Sequence, residues 1–357
     1  AGTSYDAAGR ELPVDAPDAE VARTVYRISI RPGILYQPHP AFARRSDGRY
    51  RYHGDGATRV PDARSPADFR HVDTRELKAA DYVHQIKRLA HPRLHSPIAS
   101  LMGQYILGLD ALAEHLRQQA PARDAFLDLR EQTLDGARVI DDYTFEITLT
   151  QRYPQFVYWL AMPFFAPVPW EAERFYSEPG MAERNLTLDW YPVGTGPYLL
   201  RENNPNRRMR LARNPNFRGE TYPEEGEPVD AAQGLLADAG KAMPFIDEIH
   251  FMLEKEDIPE WGKFLQGYYD ISPIAPDGFD QAIRFGPDGQ PELTPEMREK
   301  KISLGVATQP TIIYLGFNML DPVVGGYDAR ARALRQAISI VIDIEEMISI
   351  FSNGRGI

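Results

Sequence analysis

The sequence contains no cysteine among its 357 residues, which excludes disulfides, thiolate metal ligands and cysteine nucleophiles. No apolar run approaches the roughly 20 residues that a helix needs to cross a bilayer, so no membrane-spanning helix is predicted. Basic residues are in the minority, since 40 lysines and arginines face 51 acidic residues and leave a net charge of -11. Proteins that bind nucleic acids need cations to neutralise phosphates, so this charge argues against that class.

The chain otherwise has the composition of a globular protein, with 43% hydrophobic and 11% aromatic residues and enough length for two or more domains. Segments with helical periodicity alternate with pairs of strands, and no internal repeat is present. This pattern predicts an α/β protein in which mixed sheets are flanked by helices. Residues 1–22 lack the basic and apolar regions of a signal peptide, so the residues alone give no indication of export.

Alternation of apolar and polar residues predicts the strands. Two hairpins are predicted, at Leu134–Thr150 and Tyr198–Arg213. Single strands are predicted at Thr24–Arg31, Ile246–Leu253 and Tyr269–Ser272.

Helical spacing of apolar residues predicts helices at about Ala80–Ala90, Leu109–Gln119 and Pro259–Gln266. Near the end of the chain, Asp328 and Asp343 each precede a run with helical periodicity. An aspartate in this position accepts hydrogen bonds from unpaired N–H groups of the first turn. Two consecutive helices are therefore predicted there.

Glycine and proline mark the irregular segments. Pro32–Arg75 is predicted to be a long surface loop with little regular structure, and Gly219–Gly240 to be an insertion loop. Phe156–Trp170 is apolar and aromatic but interrupted by prolines, which predicts a helix that runs into a buried loop. Its aromatic residues are interpreted as core rather than as the wall of a pocket.

Two patterns that suggest cofactor or metal binding have simpler structural explanations. The segment 194–197, Gly-Thr-Gly-Pro, lacks the third glycine and the lysine of nucleotide-binding loops, and we interpret it as a tight turn that needs glycine torsions. His84, His91 and His95 lack the His-Glu-x-x-His spacing of a zinc site. These histidines are predicted to lie on the surface or to have protein partners.

Candidate catalytic groups are equally weak. The adjacent carboxylates Asp141–Asp142 and Glu345–Glu346 are of the kind that a glycosidase uses, but they lie at a predicted turn and a predicted helix start, where acidic residues are common. No Gly-x-Ser-x-Gly elbow of a serine hydrolase is present. The residues therefore predict no catalytic site, no metal site and no cofactor.

The most distinctive pattern lies at Thr311–Asn318, TIIYLGFN, a run with strand composition, and in Leu320–Ile357, where an Asp-Pro turn precedes Arg-Ala-Leu-Arg-Gln-Ala-Ile and Ile-Asp-Ile-Glu-Glu. This order resembles the extracellular solute-binding proteins of family 5, the oligopeptide- and dipeptide-binding components of ABC importers. Segments at Ala79–Met102, Val139–Pro169 and Val193–Leu199 are similar to that family in the same order.

The resemblance implies a periplasmic-binding-protein type II-like α/β module of two lobes, which closes around a solute and delivers it to a membrane permease. Such a protein is a periplasmic carrier and not an enzyme. Its expected partners are a short peptide or a similar small solute and the permease of an ABC importer. Residues 1–192 and 193–310 are then expected to form the outer and main-sheet parts of the first lobe, and 311–357 the crossover strand and first helices of a second lobe that is mostly absent.

The resemblance also implies which positions border the solute. In the family these are a short strand, the strand that crosses between the lobes and a Ser-Pro loop. Carried over, they are Ser272, Pro273 and Ile274, then Tyr314 and Gly316, and finally Ile98. Family members often have an aromatic residue where this chain has Ile98, so simple packing of Ile98 is the alternative interpretation. Tyr314 is the preferred contact because a phenol offers both apolar area and a hydroxyl.

An extended peptide would have its backbone satisfied as in strand addition, which leaves its side-chain pockets permissive. The alternatives are another solute, such as an oligosaccharide, an opine or a metal chelate, or a hydrolase that uses carboxylates. Because one wall of the cleft at best is expected in this chain, it should bind peptides weakly or not at all by itself. Ile338, Val341, Ile348 and Phe351 are expected to be left without cover and to favour association.

Overall fold

The computed structural model describes residues 2–119, 126–274, 278–287, 289–307 and 310–353. The chain divides into a first unit, Ala1–Leu253, and a second unit, Glu254–Ile357. Within the first unit, helices and irregular segments pack on antiparallel sheets. The predicted α/β architecture is therefore confirmed, whereas the boundaries at residues 192 and 310 stay predictions.

The strands of the first unit form two antiparallel sheets. They are β1 (Thr3–Tyr5), β2 (Arg23–Ser29), β3 (Ala137–Asp141), β4 (Thr144–Leu149), β5 (Tyr198–Asn204), β6 (Arg208–Arg213) and β7 (Glu248–Met252). One sheet has the order β1-β2-β4-β3 and the other the order β5-β6-β7. Both predicted hairpins and the strands predicted at Thr24–Arg31 and Ile246–Leu253 are confirmed.

The helices of the first unit lie between these strands in the chain. They are α1 (Ala79–Arg88), α2 (Ala99–Tyr105), α3 (Leu109–Gln119), α4 (Phe156–Leu160), α5 (Trp170–Tyr176) and the short α6 (Pro228–Ala232) within the predicted insertion loop. At the start of α1 the Asp81 carboxylate accepts a hydrogen bond from the Lys78 N–H at 3.0 Å, which satisfies a donor that the helix leaves unpaired. The helices predicted at 80–90 and 109–119 are confirmed to within two residues.

The first core lies between the four-stranded sheet and α1 to α3. Strand β4 buries Phe145, Ile147 and Leu149, which share one face because side chains alternate along a strand. Helix α1 contributes Val83 and Ile86 from its apolar face. The apolar residues recur at every second position in the strand and about every 3.6 positions in the helix. Both repeats are visible in the sequence, so this part of the fold is predictable from it.

For Pro32–Arg75 the prediction of little regular structure is confirmed, whereas the prediction that it lies on the surface is wrong. The segment contains only two short 3-10 helices, yet Tyr36, Phe42 and Phe69 are buried in a second core together with Phe175 of α5. Irregular spacing hides this core from a search for periodicity, because the apolar residues follow neither a helical nor a strand repeat.

The second unit is smaller and contains more helix than strand. Its elements are α7 (Asp257–Leu265), α8 (Phe279–Ala282), β8 (Ile283–Phe285), β9 (Pro291–Leu293), α9 (Pro295–Glu299), α10 (Ala329–Val341) and α11 (Ile344–Ser352). Its core contains Trp261, Phe279 and Met297. The predicted caps are confirmed, since the Asp328 carboxylate accepts from the Ala331 N–H at 3.0 Å and the Asp343 carboxylate from the Glu346 N–H at 2.9 Å.

Two of the strand predictions are wrong. Tyr269–Ser272 and Thr311–Asn318, the expected crossover strand, are irregular in the structure. Neither pairs with another strand in the described part of the chain. A strand composition alone does not satisfy backbone N–H and C=O groups, which need a neighbouring strand in register.

The apolar face of the last two helices was expected to be exposed. Val341 and Phe351 are exposed, whereas Ile338 and Ile348 are half-buried. Over the described ranges, no helix combines the length and the apolar composition needed to cross a bilayer.

Candidate functional site

The predicted positions Ser272, Pro273 and Ile274 lie in an irregular segment of the second unit. The Ser272 Oγ donates to the Pro273 carbonyl at 2.8 Å, so this hydroxyl is engaged locally. Pro273 is exposed, and Ile274 packs against the core cluster that contains Trp261. Of the three, Pro273 is thus the most open to a solute, and a role in binding stays a prediction.

Tyr314 and Gly316 lie together in the exposed segment that follows residue 309. The Tyr314 side chain is 82% exposed, and a Cβ atom on Gly316 would lie 3.4 Å from its Cε2 atom. Within the described residues the phenol has no hydrogen bond, ion pair or ring contact. A large amphipathic side chain without partners is available for a ligand, and its use for that purpose stays a prediction.

Ile98 is in a different environment, in the first unit. It is 6% exposed and packs in the first core with Met102 and Ile106. This packing corresponds to the alternative interpretation given for Ile98. A solute contact at this position stays a prediction.

A cavity of about 1070 Å³ in the first unit was not predicted from the sequence. We call it the first-unit cavity. Its polar lining includes Arg88, His91, Arg93, Glu173 and Asp189, together with the uncharged residues Gln85, Ser177, Thr187 and Thr195. Its apolar lining includes Leu94, Pro163, Pro167, Val168, Leu188 and Val193. Because these residues come from two separate stretches of the chain, 85–94 and 163–195, no local sequence pattern indicates the cavity.

A buried ionic network connects α1 and α5 beside this cavity. His84 Nε2 lies 2.8 Å from Glu173 Oε2, and Arg88 Nε donates to Glu173 Oε1 at 3.0 Å. Burial alone would raise the pKa of Glu173, but the hydrogen bond to His84 and the charge of Arg88 outweigh it and lower this pKa to about 2. The carboxylate is therefore ionised and already neutralised by its neighbours.

The segment Gly194–Gly196 forms another part of the wall and is held in place by hydrogen bonds to its carbonyls. The backbone N–H of Gln37 donates to the Gly194 carbonyl at 2.9 Å, and Asn214 Nδ2 donates to the Gly196 carbonyl at 2.8 Å. The predicted need for glycine torsions is wrong, since neither glycine has a positive φ. Space does not require a glycine at position 196 either, because a Cβ there would meet no atom within 4 Å.

The histidine prediction is confirmed for His84, which has a protein partner in Glu173. Among the described residues, no group of histidine, aspartate and glutamate side chains is arranged to hold a metal ion. The cavity thus offers apolar surface and a neutralised ionic network. This combination suits the binding of a small solute.

The chain belongs to the bacterial extracellular solute-binding proteins of family 5, whose model for the middle region matches residues 69–357. This match confirms the resemblance seen in the sequence. Proteins of this class bind solutes outside the cell, as the description of the family states.

Particular relatives are similar over shorter stretches. The periplasmic oligopeptide-binding protein OppA of Salmonella typhimurium is 31% identical over 146 residues, which are 41% of this chain and 23% of that protein. The OppA of Escherichia coli is 30% identical over 151 residues, 42% of this chain and 24% of that protein. The solved structure of OppA from Burkholderia pseudomallei has a TM-score of 0.41 and 20% identity, and it covers 78% of this chain and 40% of that chain. The chain thus spans less than half the length of the relatives it matches.

Proposed function

We propose that the protein containing this chain is a periplasmic carrier that binds short peptides and delivers them to the permease of an ABC importer. The observation that supports this proposal most strongly is the family match over residues 69–357. The 31% identity to a protein named for oligopeptide binding in the periplasm points to peptides as the solute. In this proposal the protein is not an enzyme, and it needs no cofactor.

In this proposal, the backbone groups of the peptide determine how it is bound. An extended peptide carries one N–H and one C=O group per residue, and backbone groups of the protein satisfy them as in strand addition. Ser272, Pro273, Ile274, Tyr314 and Gly316 provide part of this contact surface in the proposal. Closure of two lobes is driven by the peptide because the closed state makes more contacts with it than the open state does.

The proposal is tested by calorimetry of the full-length protein with a defined mixture of di- to pentapeptides, followed by mass spectrometry of the recovered mixture. Binding heat with every peptide recovered intact is the expected result. Cleaved peptides in the mixture would instead indicate a hydrolase. Heat with a neutral oligosaccharide but none with peptides would contradict the proposed solute class.

A further inference from the structure

A second cleft of the first unit is lined by arginines and aromatic rings. Two cavities, of about 650 Å³ and about 630 Å³, share Gly54, Asp55, Phe126 and Arg174, so they adjoin and form one cleft. We call it the arginine cleft. Its charged lining consists of Arg49, Arg59, Arg130 and Arg174 with Asp55, Asp128 and Glu178. Cations thus outnumber carboxylates here, although the net charge of the protein is -11.

The carboxylates of this lining are occupied or screened. Glu178 Oε2 accepts a hydrogen bond from Arg59 Nη1 at 3.0 Å. Asp128 Oδ1 accepts from Arg130 Nε at 2.8 Å. Asp55 is exposed to solvent, and water weakens the field of its charge. An anion in the cleft therefore meets little uncompensated negative charge.

Three other side chains of the lining have hydrogen-bond donors that the protein does not use. Arg174 Nη2 forms an ion pair with Glu178 Oε1 at 3.3 Å, but its guanidinium donates no hydrogen bond within the described residues. Arg49 pairs with Asp47 at 3.7 Å, which is beyond hydrogen-bond distance. The indole N–H of Trp170, which lines the same cleft, has no acceptor in the described part of the chain. Because an arginine carries five N–H donors, most of the donors of this wall are available to a ligand.

Neighbouring rings hold these donors in fixed positions. Trp170 and Arg174 lie one turn apart on α5, so they share a face of the helix. The Cζ atom of Arg130 lies 3.6 Å from the centre of the Trp170 ring, and Tyr50 meets that ring edge to face at 5.5 Å. His53 stacks on Tyr50, and burial lowers the pKa of its imidazole, so this ring is neutral at pH 7. Donors that are in place before a ligand arrives reduce the entropic cost of binding.

The donors of this wall match a phosphate better than other solutes. Each cation of the lining is an arginine, and arginine presents paired N–H groups whose spacing fits the oxygens of a phosphate. A phosphate monoester has three terminal oxygens that accept hydrogen bonds, one more than a carboxylate. A neutral sugar would leave the excess positive charge without a counter-ion.

We propose that the arginine cleft binds a phosphate monoester, carried by a small molecule or by a lipid headgroup, through Arg49, Arg174 and the indole N–H of Trp170. This binding is additional to the carriage of peptides and does not rest on the proposed function.

Calorimetry of the full-length protein with inorganic phosphate, at constant ionic strength, tests the site. We expect saturable binding that acetate does not displace and that a saturating mixture of peptides leaves unchanged. Arg49→Gln removes a cation whose side chain makes no hydrogen bond within the described residues, so it should melt like the unsubstituted protein. It should bind phosphate at least tenfold more weakly, because a charge-assisted contact is lost.

Two further variants sharpen this test. Arg117→Gln, at another exposed arginine of the first unit, is the matched control and should bind phosphate within twofold of the unsubstituted protein. Trp170→Phe keeps an aromatic ring but removes the N–H group, and it should bind phosphate about fivefold more weakly.

Vesicles distinguish the two sources of the phosphate. Sedimentation with vesicles that contain phosphatidic acid, but not with phosphatidylcholine alone, would support a lipid headgroup if Arg49→Gln abolishes it. Binding of inorganic phosphate without sedimentation would support a small molecule. Equal affinities of Arg49→Gln and Arg117→Gln for phosphate, or displacement by acetate or by peptides, would overturn the site. An unsubstituted protein that binds neither probe would also overturn it, and the proposed function would stand in each case.

Discussion

His39 Nε2 and the Tyr176 hydroxyl lie 3.0 Å apart in the second core of the first unit, and their hydrogen bond fixes the tautomer of the histidine. Tyr176 donates its hydroxyl proton to the Tyr191 carbonyl at 2.8 Å, so the proton between the two side chains comes from His39. The other ring nitrogen, Nδ1, accepts from the Ala41 N–H at 3.1 Å. Only the neutral imidazole with its proton on Nε2 satisfies all three bonds.

This arrangement predicts that stability falls in mild acid. Burial lowers the pKa of His39 from 6.5 to about 3, so between these values the unfolded chain binds a proton that the folded chain does not. The free energy of unfolding therefore decreases as pH falls from about 6.5 towards 3, by up to a few kcal/mol from this group. Urea unfolding at pH 7, 6, 5 and 4 measures the slope, which should be smaller in His39→Gln. His115→Gln, at an exposed position, serves as the control and should keep the full slope.

A second prediction concerns the ionic network of Glu173. Glu173→Gln removes the negative charge but keeps the shape, and it leaves Arg88 buried without its counter-ion. Breaking a buried pair from one side costs about 3 kcal/mol, so we expect a loss of this order in the free energy of unfolding at pH 7. The exposed Glu183 provides the comparison, because Glu183→Gln should change stability by less than about 0.5 kcal/mol. Equal stabilities of the two variants in urea would show that the network contributes nothing net.

A third prediction uses glycines with opposite surroundings. A Cβ on Gly136 would lie 2.3 Å from the carbonyl oxygen of Leu107, a backbone atom that cannot move aside cheaply. Gly136→Ala should therefore destabilise the first unit by at least about 2 kcal/mol, whereas Gly196→Ala should be nearly neutral. Thermal unfolding monitored by circular dichroism compares the two variants. If Gly136→Ala had the same melting temperature as the unsubstituted protein, the segments that contain Gly136 and Leu107 would be able to move apart at little cost.

Elements whose apolar residues recur at a regular spacing are predicted well from the sequence. Helix α3 and the hairpin of β3 and β4 are examples, because their apolar residues recur at 3.6 or two positions and meet one shared core. The buried part of Pro32–Arg75 was missed since Tyr36 and Phe69 are ordered by contacts with Phe175, more than 100 positions later. Tertiary contacts of this kind leave no local pattern.

The candidate sites show the same limit. Tyr314 was found because it lies within a stretch that resembles a known family, whereas the first-unit cavity has no motif. Its walls combine Arg88 from α1, Val168 from a proline-rich connection and Gly196 from the start of the second sheet. A cavity is a property of the space between segments, and a search along one sequence finds segments only.

The last prediction tests Tyr314 as a contact for the peptide. Because its side chain is 82% exposed and has no partner in the described residues, Tyr314→Ala should leave stability within about 0.5 kcal/mol. The substitution should have a larger effect on peptide binding, because it removes both the packing and the hydroxyl contact of the phenol with the bound peptide. We expect at least a tenfold loss of peptide affinity in the full-length protein, about 1.4 kcal/mol. Tyr327→Ala is the matched control, since Tyr327 is 80% exposed in the same unit, and it should bind within twofold of the unsubstituted protein. If both tyrosine variants bound tripeptides equally well by calorimetry, Tyr314 would be an exposed residue without a role in the site.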